Sequence, residues 1–427
     1  MLTNVKDLLG NWPNRIFLLI TLCWVAWMLQ QFDHLMDGYE KVMAVILPLM
    51  WFWLAASWRP LQWLSYSVGF GVWVGAWVYG GQIDQGTQPL LKYVLASPSA
   101  VVWMGVLVVM ACVTYWGALF VPRQVSETFF RVGRGILWMA IWAGWIAFFM
   151  RWHESYLIAI DIGHVPVSNL YEVFVLFILI TAMLYLFYEV RYQVSAIGGF
   201  VLLVLSVSVG FLFWYASTRG AHAITGLQPA LKSWWMKIHV PANFVGYGAF
   251  SIAAMVAFAA LLKRYRENRL ALRILFVLAA LLFLEPLVFR RQFDWGSLPI
   301  YLGVAVLLTG ILFAFRRTVV RRLPRFEVLD ELMQQSIAFG FLFFTLATIL
   351  GATWAADAWG AYWQWDPKET WALVVWLNYA AWLHLRLIKK HRHVWLYWWA
   401  LIGLLLTSFA FLGVNIVLSG LHSYGKL

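Results

Sequence analysis

The sequence predicts an all-α polytopic integral membrane protein of about 13 transmembrane helices, N-terminus inside and C-terminus outside. Three observations carry that prediction. Of 427 residues, 63% are hydrophobic and only 12% charged, against a charged share of about 25% in soluble domains. The mean hydropathy is +0.76. The apolar residues also fall into runs near the ~20 residues that one bilayer crossing needs. A soluble enzyme and a disordered chain are both excluded.

Taken in order, the runs lie at 16–33, 41–57, 61–80, 99–120, 135–150, 169–188, 196–215, 239–262, 271–289, 298–315, 335–353, 370–388 and 395–418. Charged or Pro/Gly-rich breaks separate them. The first run lacks a small-residue cleavage site and reads as a retained span. Starting inside divides the 31 Lys and Arg about two to one in favour of the cytoplasmic loops, with clusters at 263–273, 316–325 and 386–392. The net charge of +12 is therefore a topology signal and not a nucleic-acid footprint. This orientation puts the loops at 151–168, 216–238 and 354–369, and the tail from 419, on the outer face.

No polar stretch is long enough for a soluble domain. Internal repeats, a Walker loop and a dinucleotide-type Gly motif are missing from the sequence, which argues against energy-coupled transport by this chain alone. Cys23 and Cys112 stand alone in apolar runs and read as small core residues, not as a thiol-redox pair.

The 29 Trp exceed what two interfacial belts require. Composition leaves two explanations open: thick belts, or indole faces held against a flat apolar ligand. The segment WAADAWGAYWQWDPKETW, Trp354 to Trp371, bears on that choice. Five indoles (Trp354, Trp359, Trp363, Trp365 and Trp371) and Tyr362 crowd one loop between two spans. Asp366, Pro367 and Glu369 have the spacing of an N-cap, N1 and N3 set that starts the next helix. Gly360 would allow a flat ligand to approach the backbone.

Two histidines fall at the same expected outer level, His239 at the start of a span and His422 after the last one. A single interfacial His is ordinarily solvated, but two beside a Trp-rich loop favour axial ligands for a haem iron. His384 lies within TWALVVWLNYAAWLHLR, where an ionisable residue is either functional or a helix-end group beside Arg386. His391 and His393 belong to a basic turn, and His34, His153 and His222 suggest no role. His164 precedes PVSNLYE, in which Ser168 and Asn169 read as caps of the next span and the segment as a wall of the same cavity.

The motif WGAYWQWDPKETWALVVWLNYAAWLHLR closely resembles the tryptophan-rich signature of the CcsA/ResC-type proteins of System II cytochrome c biogenesis. GHVPVSNLYE (163–172), LQPALKSWWMKIHV (227–240) and NIVLSGLHSYG (415–425) agree with it in order and spacing. The resemblance spans residues 135–262 and 327–427. It implies a haem-handling subunit of a membrane cytochrome c synthase, a holocytochrome-c synthase of the haem lyase type. Such a protein presents haem b on the outer face of a bacterial inner (cytoplasmic) membrane for thioether attachment to the CxxCH of an apocytochrome c. Its implied partners are a CcsB/ResB-type membrane subunit, apocytochrome c, haem and the lipid bilayer, with no nucleic acid.

By position, His239 and His422 match the outer iron ligands, and His384 matches the histidine of an inner haem site. Trp354, Trp359, Trp363, Trp365, Asp366 and Trp371 belong to the haem platform. Arg219, Lys237, Arg290 and Arg291 are propionate candidates by charge and side only. Two stretches depart from the family pattern. Residues 1–134 form extra transmembrane segments, and a helical pair is inserted at about 270–320 in the core domain, 135–427. The alternative reading is a haem exporter or chaperone serving a separate synthase. A respiratory subunit with a permanent haem ranks last, because paired His ligands on facing spans are not evident.

Overall fold

The computed structural model describes residues 10–33, 36, 38–277, 298–389, 394–414 and 418. The described residues are helical and contain no strand. Among them, twelve long helices follow one another in the chain. They are α1 (Trp12–Phe32), α2 (Gly38–Ser57), α3 (Pro60–Tyr79), α4 (Ser97–Phe120), α5 (Arg123–Ile158), α6 (Leu170–Tyr192), α7 (Gly198–Arg219), α8 (Met236–Arg264), α9 (Leu298–Arg322), α10 (Phe326–Trp359), α11 (Pro367–Lys389) and α12 (Val394–Ser408). Ten of them are long and apolar enough to cross a membrane. This all-α polytopic architecture is the one expected from the sequence. α3 and α9 coincide with expected spans without being among the ten, and the expected span at 271–289 lies mostly outside the described residues.

The chain forms two compact units, 1–91 and 92–427. In the first, α1, α2 and α3 are tied by buried amides. Gln62 Nε2 donates to Asn14 Oδ1 at 2.7 Å and to the Ala55 carbonyl at 3.1 Å, which satisfies polar groups that would otherwise be costly in an apolar setting. Cys23 in this unit is exposed, contrary to its reading as a core residue, because it faces outward from α1; Cys112 is buried as expected.

In the second unit α8 is the central helix, with 89% of its apolar window buried against 28% in α10 and 17% in α11. Its sequence explains why. Gly246, Gly248 and the alanines that follow carry almost no side-chain bulk, so neighbouring helices approach its backbone closely. A Cβ on Gly248 would lie 2.6 Å from Thr181 Oγ1 of α6, and one on Gly340 of α10 would lie 2.8 Å from Phe250. Phe250 stacks on Tyr379 of α11 at 3.6 Å and 9°.

Indoles fasten the remaining helices. Trp376 donates to Thr345 Oγ1 at 2.9 Å, Trp382 to the Leu396 carbonyl at 3.0 Å and Trp399 to Asn378 Oδ1 at 2.8 Å, joining α11 to α10 and α12. Part of the tryptophan excess is therefore interhelical fastening, a role distinct from both belt and ligand wall.

Several charges within the spans are paired, which offsets their cost. Arg151 of α5 meets Glu172 of α6 at 2.8 Å. Arg134 meets Glu189, which also accepts from Tyr115. Arg386 of α11 bonds Asp330 of α10, which in turn accepts from Tyr397 of α12.

Candidate functional site

A partly open cleft of about 210 Å³ lies at one end of the second unit. Its walls come from the first turns of α6, α8 and α11, the last turns of α10, and the π-helical turn Phe409–Gly413 that follows α12. Three of the stretches singled out by sequence thus contribute lining residues: 163–172 through 167–170, 227–240 through Leu231, Met236, His239 and Val240, and the Trp-rich loop.

His239 stands one turn into α8 and lines the cleft. Its Nδ1 lies 2.8 Å from the Ala347 carbonyl of α10, and Asn243, one turn on, places Nδ2 2.9 Å from Nε2. A carbonyl can only accept, so Nδ1 carries the proton and the lone pair belongs to Nε2. The bond to Ala347 fixes tautomer and ring orientation in the way that metal-binding imidazoles require. The ring has room because the facing residue is Gly351, where a Cβ would sit 2.7 Å from His239 Cε1.

Trp354 is buried beside this imidazole, ring centroids 5.6 Å apart, and its indole N–H donates to the Ala230 carbonyl at 3.0 Å. Trp359 packs on Trp354 at 5.8 Å without lining the cleft. Trp363 lines the cleft with Tyr362, and Trp365 meets Trp363 edge-on at 5.9 Å. Trp365 is 68% exposed and has φ of 57°, a left-handed backbone that a bulky residue rarely adopts. Trp371 turns away and packs on Phe409 at 4.3 Å.

The helix-start reading of this loop holds in detail. Asp366 accepts the Lys368 N–H at 3.1 Å, while Glu369 accepts the N–H groups of Asp366 at 3.2 Å and Gln364 at 2.7 Å. This is a reciprocal capping box, so Asp366 shapes the loop and does not line the cleft. Gly360 also has a local role. It ends α10 with φ of 78° and its N–H on the Ala356 carbonyl. A Cβ at this position would meet no protein atom within 4 Å, so within the protein it is the left-handed turn that calls for the glycine.

The 164–172 segment is braced from below. Asn169 caps α6 by accepting the Glu172 N–H at 3.0 Å, and Glu172 accepts from the Ser168 N–H and hydroxyl at 2.9 and 2.8 Å. Arg151 completes the brace, donating to Glu172 and to the His222 and Ala223 carbonyls at 2.7 and 3.2 Å. His164 lies 3.7 Å from Glu172. Burial favours its neutral imidazole, but the Glu172 carboxylate and the Ile162 carbonyl outweigh that and raise its pKa above the ordinary value.

His384 is on α11, fifteen residues beyond Glu369 and so about 22 Å along the helix from the cleft; its side chain is exposed. His422, Arg290 and Arg291 lie outside the described residues. Arg219 and Lys237 do not line the cleft. Sequence reasoning missed Asn243, Gly351 and Lys368, which do line it. Helical spacing from His239 could have suggested Asn243, four residues on; the other two become visible only when α10 and α11 are packed.

The sequence profile of the family described as "Cytochrome C assembly protein" matches residues 167–422. The chain is 34% identical over 271 residues to a "Cytochrome c biogenesis protein CcsA" of Cyanophora paradoxa, covering 62% of this chain and 81% of the relative. It is 31% identical over 322 residues to one of Guillardia theta, covering 74% and 92%. Against one of Gloeobacter violaceus it is 34% identical over 276 residues, covering 63% and 80%.

Proposed function

The chain belongs to the cytochrome c assembly protein family as a CcsA-type multi-pass membrane protein with a role in cytochrome c biogenesis, and from that premise we propose that it is the haem-handling subunit of a membrane cytochrome c synthase. The observation that carries this reading is His239: a tautomer-fixed imidazole whose Nε2 lone pair lies in a cleft walled by Trp354 and Trp363. The donor is one that haem iron takes, and the flat aromatic walls suit a macrocycle. Haem b is the substrate here, delivered to an apocytochrome and not retained.

In this reading His239 and His422 would be the residues that bind the iron. Asn243 yields its hydrogen bond when iron takes Nε2. Trp354 and Trp363 restrict the rotation of the macrocycle and keep water from one face. Thioether formation adds a cysteine S–H across each vinyl C=C of haem, so no group leaves and no oxidant is consumed. The chain's own part is binding, orientation and exclusion of water. A CcsB/ResB-type subunit completes the synthase, and the chemistry takes place on the periplasmic face of a bacterial inner membrane. His384, at the far end of α11, would serve an inner entry site.

Optical spectra of the affinity-purified protein test this. Wild type is expected to carry a reduced bis-His haem spectrum that is lost or shifted in His239→Ala and His422→Ala; lower total haem in His384→Ala would add the inner site. A wild type without haem, or variants with its spectrum, would overturn the reading. Haem bound and exported with no thioether product in cells that also express the partner would leave a haem exporter or chaperone.

A further inference from the structure

The cleft is mainly apolar and aromatic, but it holds one strong cation. Among its described lining residues Lys368 is the only Lys or Arg. The sequence puts it there through the capping box. Pro367 and Lys368 form the first turn of α11, and the bond from the Lys368 N–H to Asp366 fixes that turn. Its side chain reaches the opposite wall, with Nζ 3.4 Å from the Phe411 carbonyl and 6.0 Å from the centre of the Phe411 ring.

Two carboxylates stand close in sequence; both accept backbone N–H groups, and Asp366 also attracts the Lys368 ammonium through its charge. Glu369 receives the N–H groups of Gln364 and Asp366, and Asp366 receives that of Lys368. Among the described residues, the hydrogen bonding of the Lys368 ammonium is limited to that one long contact with the Phe411 carbonyl. An ammonium has three donors, and holding it in an apolar cleft costs free energy that an anionic partner would offset.

We propose that Lys368 is the carboxylate-recognition residue of the cleft: it binds a propionate of haem and thereby sets which edge of the macrocycle faces the open side. This rests on the haem reading above and adds a specificity determinant to it. Propionates and vinyls occupy opposite edges of the macrocycle. A carboxylate held at Lys368 therefore turns the vinyl edge away from α11, toward the side from which a CxxCH would approach.

Titration of the full-length, haem-depleted protein in detergent with haem and with haem dimethyl ester tests the proposal, with His239→Ala as the control for specific binding. Wild type is expected to favour free haem by roughly ten- to a hundredfold, the range of a charge-assisted hydrogen bond. Lys368→Met should bind both forms with similar affinity, and Lys368→Arg should keep the preference. Equal, His239-dependent binding of both forms by wild type overturns the role of Lys368 and leaves the haem reading standing. So does a preference that survives in Lys368→Met. If neither compound gives a His239-dependent spectrum, the haem reading itself falls, and this proposal with it.

Discussion

At the scale of single residues the cleft depends on how one imidazole is held. Gly351→Ala would place a methyl 2.7 Å from His239 Cε1, so the ring must swing off the Ala347 carbonyl. Overpacking of this kind costs about 1–3 kcal/mol. The expected result is a folded protein with haem content reduced at least several-fold, read from pyridine haemochrome spectra of purified protein. Asn243→Leu should do the opposite. It removes the donor that competes for Nε2, and haem affinity is expected to rise by up to roughly tenfold, the worth of one hydrogen bond. His164 predicts a pH dependence. Its folded pKa is raised above the ordinary value of 6.5, so its contribution to stability is full below about pH 6.5 and disappears as pH rises through the folded value. Thermal unfolding in detergent should show a deficit for His164→Gln at pH 6 that shrinks toward pH 9; a deficit independent of pH would refute the assignment.

At the scale of elements, the apolar runs announced the helices but understated the longest two. α5 covers Arg123–Ile158 where the sequence predicts 135–150, and α10 covers Phe326–Trp359 where it predicts 335–353. Several charges at the ends of those runs are satisfied by partners far away in sequence. Arg134 pairs with Glu189, Arg151 with Glu172, and Glu154 accepts from Ser97, while Asp330 pairs with Arg386. Hydropathy counts a charge without its partner and so stops a helix too early. Local signals were legible: the Asp366–Glu369 box and the Asn169 cap use atoms only two or three residues apart. The box also makes a prediction. Glu369→Ala removes the acceptor of two N–H groups and is expected to cost about 1–2 kcal/mol. Glu369→Gln, a normal capping-box residue, should lose less, as thermal unfolding would show.

At the scale of the whole molecule, the site was legible in part. His239, Trp354 and Trp363 were visible as residue types beside a Trp-rich loop, and the structure brings them together. Gly351 and Lys368 were not, because their importance lies in what faces them across a helix interface. Arg151 is the clearest case of long-range dependence, since it joins α5, α6 and the turn at 222–223 through buried contacts. Arg151→Met would leave Glu172, 1% exposed, as an uncompensated buried charge and is expected to cost about 3–5 kcal/mol. Pairing it with Glu172→Gln should recover part of that loss, which a double-mutant cycle of unfolding midpoints would measure.

The cleft is also built from parts that leave the ribosome at different times. His239 emerges well before Ala410 and Phe411, which close the wall from the turn after α12. At ~5–20 residues per second, the interval from His239 to Phe411 is roughly ten to thirty seconds. During that time a nascent chain exposes an imidazole and indoles without an enclosed place to hold anything between them. On the haem reading proposed above, nothing can be enclosed in the cleft before the turn that follows α12 has been made.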